Sequence, residues 1–129
     1  MSPRGLDGAQ EREARRHNLN TMMIRDPLRI DDLALWIDGA NGRPTSRVHS
    51  QVLPDKLLQA LHRTSAQVDV IWGEYDDLHP DPELNAAVIR QAHPAADLRT
   101  VGKAGHWAMY EQAAGFNHHL RELLETPLR

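Results

Sequence analysis

Cysteine is absent from the 129 residues. That excludes disulfides, thiolate nucleophiles and cysteine-ligated zinc, and it fits a reducing compartment without establishing one. Long apolar runs are missing as well, since nothing approaches the ~20 residues needed to span a bilayer. The opening MSPRGLDGAQ lacks the apolar stretch of a signal peptide. Nor does charge of one sign accumulate. Fifteen Lys and Arg against 18 Asp and Glu leave a formal charge of −3 and a pI of about 6.2, without the basic footprint that nucleic acid or anionic lipid demands. Arg12, Arg15 and Arg16 form the one tight basic group, and helix surfaces carry such groups routinely. These absences predict a soluble, cytoplasmic protein with neither nucleic acid nor membrane as partner.

Metal and cofactor patterns are equally thin. None of the eight histidines belongs to an H-x-x-x-H pair. His118 and His119 are neighbours on a predicted helix and point about 100° apart, while His17, His49, His62, His79 and His93 are scattered. There is no phosphate loop and no dinucleotide fingerprint, so neither metal nor cofactor is expected.

What is present is enough for one domain with a core. Hydrophobic residues make up 40% and charged residues 26%, the proportions of a globular chain. Two regions differ in pattern. Residues 1–65 read as mostly helical. A first helix is predicted over 9–25, with Leu19, Met22 and Met23 at helical spacing, ended by Asp26-Pro27. A second starts near Asp31, carries Leu33, Trp36 and Ile37 on one side, and stops in Gly39-Ala40-Asn41-Gly42. A third opens with Pro54 and has Leu57, Ala60 and Leu61 as its stripe.

Residues 66–129 read as strand, helix, strand, helix. Val68 to Trp72 is apolar apart from Asp69, as a strand buried on both faces would be. Asp81-Pro82-Glu83 is a helix start, with cap, early proline and first-turn acid, and His93-Pro94 is its stop. Leu98 to Val101 is a second strand. A last helix carries Ala113, Phe116, Leu120, Leu123 and Leu124. The alternation predicts an α/β fold with a parallel sheet.

In such a sheet the chemistry sits in the loops beyond the carboxyl ends of the strands. The first of these loops holds Asp76 and Asp77, and the second holds His106, thirty residues after Asp76. Neighbouring strands run ~5 Å apart, so an acid and a histidine placed there can meet. An aspartate on histidine Nδ1 fixes the tautomer and leaves Nε2 as a general base. The plainer reading is a turn-forming aspartate and a hydrogen-bonded loop histidine.

At these residues the chain resembles the α/β-hydrolase family. Gly73-Glu74-Tyr75-Asp76 is similar to the family's G-x-x-D at the end of a buried strand, and Gly105-His106-Trp107 to its G-H motif, with Glu111 and the Phe116 helix following. The resemblance covers residues 66–125. It implies the last two βα units of a hydrolase sheet, with Asp76 as the triad acid and His106 as the base. Residues 1–65 then stand for a helical cap. The stretches HNLNTMMIRDP and IDDLALWIDGAN, and Trp107 beside the histidine, resemble hydrolases that split carbon–carbon bonds in dienoic ring-fission products. That likeness implies Trp107 as a pocket residue and Arg43 and Arg47 as contacts for a substrate carboxylate; ester hydrolysis is equally open.

The resemblance stops at the nucleophile. The family carries it in G-x-S-x-G, and Ser2, Ser46, Ser50 and Ser65 all lack that setting. A triad without nucleophile or oxyanion hole is expected to be nearly inactive. The implied activity therefore belongs to a fuller assembly, either a homo-oligomer or the missing N-terminal half of a hydrolase. The alternative is a non-catalytic remnant or binding scaffold. A parallel strand without its neighbours is also expected to leave the isolated chain marginally stable.

Overall fold

The computed structural model describes residues 8–41 and 56–127. Helix α1 spans Gly8–Met22, and a single 3-10 turn, Pro27–Arg29, follows it. Helix α2 is Asp32–Asn41 and α3 is Lys56–Leu61. Then come strand β1 (Val70–Gly73), α4 (Pro82–Ala92), β2 (Leu98–Val101), α5 (Ala108–Glu111) and α6 (Ala113–Glu125).

The hydrolase sheet expected from the sequence is not formed. Among the described residues the sheet has two four-residue strands, paired in parallel from Val70 opposite Leu98 to Gly73 opposite Val101. Helices take most of the remainder, so the molecule is a small helical protein with a minimal sheet. The burial pattern gives the physical reason. Val70, Ile71 and Trp72 are half-buried rather than enclosed on both faces, so β1 is not the central strand that its apolar run suggests. Asp69, the polar residue in that run, closes the sheet at its start: its Oδ1 accepts the Asp97 N–H at 2.9 Å, and Val70 N–H donates to Asp97 O at 2.9 Å.

Local signals set the helix ends. Asp26 accepts the Leu28 N–H and fixes the 3-10 turn, with Pro27 at its first position. Asp81 accepts the Leu84 N–H at 2.9 Å at the start of α4, and His93 closes that helix with its N–H on Ile89 O. The side that each helix buries differs from expectation in α2. Ala34 and Leu35 are its buried residues, while Leu33 and Trp36 are 54% and 69% exposed. Ala34 and Leu35 pack into the cluster built on Leu19, and Leu33 and Trp36 are left outside it.

Among the described residues two apolar clusters hold the fold together. Leu19, Ile24, Ile30, Ala34 and Leu35 form one, with Met23, Trp107 and Tyr110 packed against it. Val101, Ala104 and Ala108 form the other, with Ile71 and Phe116. The first cluster draws on both halves of the chain. The helical region before residue 65 is thereby fastened to the loop that carries His106.

Candidate functional site

Asp76 and His106 lie in the loops that leave β1 and β2, and backbone hydrogen bonds bind those loops together. Glu74 N–H donates to Val101 O at 2.9 Å, and Tyr75 N–H donates to Ala104 O at 2.8 Å. The Glu74 side chain accepts the Lys103 N–H at 2.8 Å, where Lys103 takes a left-handed backbone with φ 57°. Between the loops there is no room for a side chain at Gly73. A Cβ there would lie 2.0 Å from Gly105 O and 2.6 Å from Ala104 O. Glycine is required at this position by close approach of backbone to backbone.

The second loop is buttressed from the other side by the chain after α1. Trp107 N–H donates to Met23 O at 2.8 Å. Glu111, buried in α5, gathers three backbone donors: Gly105 N–H at 2.7 Å, Asp26 N–H at 2.6 Å and Arg25 N–H at 3.1 Å. One side chain thus ties the glycine before His106 to the end of the first helical segment. The Arg25 guanidinium also lies over the Tyr75 ring, 5.5 Å from its centroid, joining the same segment to the Asp76 loop.

Within this frame Asp76 is 3% exposed. Its Oδ1 accepts the Leu78 N–H at 2.9 Å. Its Oδ2 stands 2.9 Å from His106 Nδ1 and 3.0 Å from His79 Nδ1. The two imidazole rings are stacked, with centroids 5.6 Å apart and planes 19° apart. The His106 side chain keeps a third of its surface open. Burial works against the charge on Asp76, but hydrogen bonds from His106, His79 and the Leu78 N–H outweigh it and hold the carboxyl below its usual range. An ionised carboxylate on Nδ1 leaves Nε2 of the ring as the atom able to take a proton.

Compared with known proteins, the chain matches no family model and no curated relative.

The structure brings Asp76 and His106 into contact and adds His79, which the sequence leaves among the scattered histidines. Asp77 is exposed and stays outside this contact network. Trp107 turns its ring toward the Leu19–Leu35 cluster and meets Tyr110 edge to face, with centroids 6.1 Å apart. Arg43 and Arg47 lie outside the described residues, as do Ser2, Ser46 and Ser50. Ser65 sits in the bend after α3, lining a small hollow with Thr64, His93 and Ala96. A larger open groove of about 530 Å³ runs along α6, lined by Ile71, Met109, Phe116, Leu120 and Leu124 among others, and includes neither Asp76 nor His106. Among the described residues no helix is long and apolar enough to cross a membrane.

Two features of this site carry little signal in the sequence. His79 follows Asp76 by three residues inside a turn, where helical or strand periodicity gives no signal; the turn closes through His79 N–H on Asp76 O at 3.0 Å. Glu111 is visible as a motif companion, but its role as a collector of backbone donors depends on a segment some 85 residues earlier.

Proposed function

We propose that Asp76 and His106 are the acid and base of a serine-type hydrolytic triad. The substrate class is an ester or the carbon–carbon bond of a dienoate, and the nucleophile comes from a further segment of the protein or from a second chain. One observation carries the reading: a buried carboxylate oxygen lies 2.9 Å from His106 Nδ1 while the ring stays partly open. In the reaction Nε2 takes the hydroxyl proton as the oxygen bonds to the substrate carbonyl carbon. Asp76 stabilises the resulting imidazolium, which then delivers the proton to the leaving group. Through the same likeness Arg43 and Arg47 are candidates for a substrate carboxylate, and Trp107 for the wall of the pocket.

A non-catalytic reading has one observation in its favour. Asp76 also organises its own turn, accepting from Leu78 N–H and His79, which a purely structural aspartate would do as well.

The test is to read the gene immediately upstream of the Met1 codon and assay the full product on a p-nitrophenyl ester. The triad reading predicts an in-frame G-x-S-x-G turn and hydrolysis that falls by at least about 10³-fold in His106→Ala. An in-frame stop with no such turn, together with no ester or dienoate hydrolysis in mixtures supplying that half, would leave the scaffold reading in its place.

A further inference from the structure

The Asp76 turn gathers two imidazoles on a single carboxylate oxygen, and an acid–base dyad requires only one of them. His79 Nδ1 and His106 Nδ1 stand 3.0 Å and 2.9 Å from Asp76 Oδ2. Each of the three side chains offers a ligand atom within 4.8 Å of those of the other two. Bonds of about 2.0–2.2 Å to a tetrahedral ion set neighbouring ligand atoms roughly 3.3 Å apart, so the two oxygen–nitrogen separations need to open by only a few tenths of an ångström.

From this geometry we infer that Asp76, His79 and His106 form a binding site for a divalent transition metal of the zinc class, using one carboxylate oxygen and two Nδ1 atoms. The donor set of two histidines and one carboxylate is one that zinc takes with a fourth position left to water. The surroundings fit a metal centre in two further respects. The second oxygen of Asp76 is already oriented by the Leu78 N–H at 2.9 Å, the kind of outer contact that fixes a ligand. Both histidines are partly open, 45% for His79 and 33% for His106, which gives the ion a path in.

Tautomers make the loaded and unloaded states exclusive. Without metal, each Nδ1–H can donate to Asp76. With metal, each Nδ1 lone pair binds the ion and the ring proton resides on Nε2, so no net proton is released from a neutral ring. A His106 ring with its proton on Nε2 cannot accept another there, so the loaded site is silent as a general base. Metal binding does not depend on the hydrolase reading, and its test needs no activity.

The experiment titrates the purified full chain with Zn²⁺ by calorimetry, with a parallel titration followed in the imidazole region of the NMR spectrum. One tight equivalent is expected, shifting the His79 and His106 ring signals together. His79→Ala, a change at a half-exposed side chain, weakens that equivalent at least about 100-fold, more than loss of an outer-shell contact does. His118→Ala leaves it unchanged, which separates this site from the His118, His119 and Glu122 group on α6. Absence of a stoichiometric equivalent would overturn the inference. So would equal affinity in His79→Ala, or zinc shifts confined to His118 and His119.

Discussion

Asp76 concentrates the chemistry of this chain because it is both buried and ionised. Desolvation alone would raise its pKa, yet the donors from His106, His79 and Leu78 N–H reverse the direction. The sign of the pH effect follows. A carboxyl whose folded pKa lies below the unfolded value of about 3.9 contributes stability that is complete above that value. The contribution is lost as pH falls through the folded pKa. Asp76→Asn should therefore remove part of the stability lost below about pH 4, which acid titrations followed by circular dichroism will register as a flatter profile. Under the proposed triad the same substitution should lower kcat for ester hydrolysis by roughly 10⁴-fold, because the amide no longer selects the productive tautomer. Glu111 makes a different demand. Replacing it with alanine leaves the N–H groups of Gly105, Asp26 and Arg25 without their partner. At about 1–3 kcal/mol for a buried donor left unmade, and less for the part-buried donors of Arg25 and Asp26, Glu111→Ala should cost about 2–3 kcal/mol, measured by urea denaturation.

At the scale of elements, the site depends on two loops that are closer than side chains permit. Gly73→Ala would drive a Cβ into Gly105 O and Ala104 O, and the loops have to separate. The expected loss is about 2–3 kcal/mol, and with it the Asp76–His106 contact. Denaturation and the His106 NMR signal should change together. Unchanged stability would mean that the loops do not approach as described. The sequence made parts of this architecture readable and hid others. The Asp81 cap was legible because caps are local chemistry, a side-chain oxygen reaching an N–H three residues on; Asp26-Pro27 was legible only as a break, and the 3-10 turn that Asp26 caps was not. The first strand was legible as an apolar run and the second, Leu-Arg-Thr-Val, as a short candidate, but the size of the sheet was not, since strand number is set by partners elsewhere. The buried side of α2 was hidden for a similar reason. Leu33 and Trp36 are the more apolar choice, yet Ala34 and Leu35 pack into the cluster built on Leu19 and the other two are left outside it.

At the scale of the whole molecule, the helical first region and the strand-bearing second region act together on the site. Leu19, Ile24 and Ile30 pack with Trp107 and Tyr110, Met23 O receives the Trp107 N–H, and Glu111 spans the two regions. The pairing of Asp76 with His106 was legible because strand-end loops of neighbouring parallel strands must converge. The third member, His79, was not, since a four-residue turn carries no periodic signature. The central claim is that Asp76 holds His106 with its proton on Nδ1 and Nε2 free. Long-range ¹H–¹⁵N NMR of the metal-free chain near pH 8 tests it most directly. The account predicts a His106 ring protonated on Nδ1 in the wild type, with that preference lost in Asp76→Asn. A ring protonated on Nε2, or a spectrum indifferent to Asp76→Asn, would contradict it.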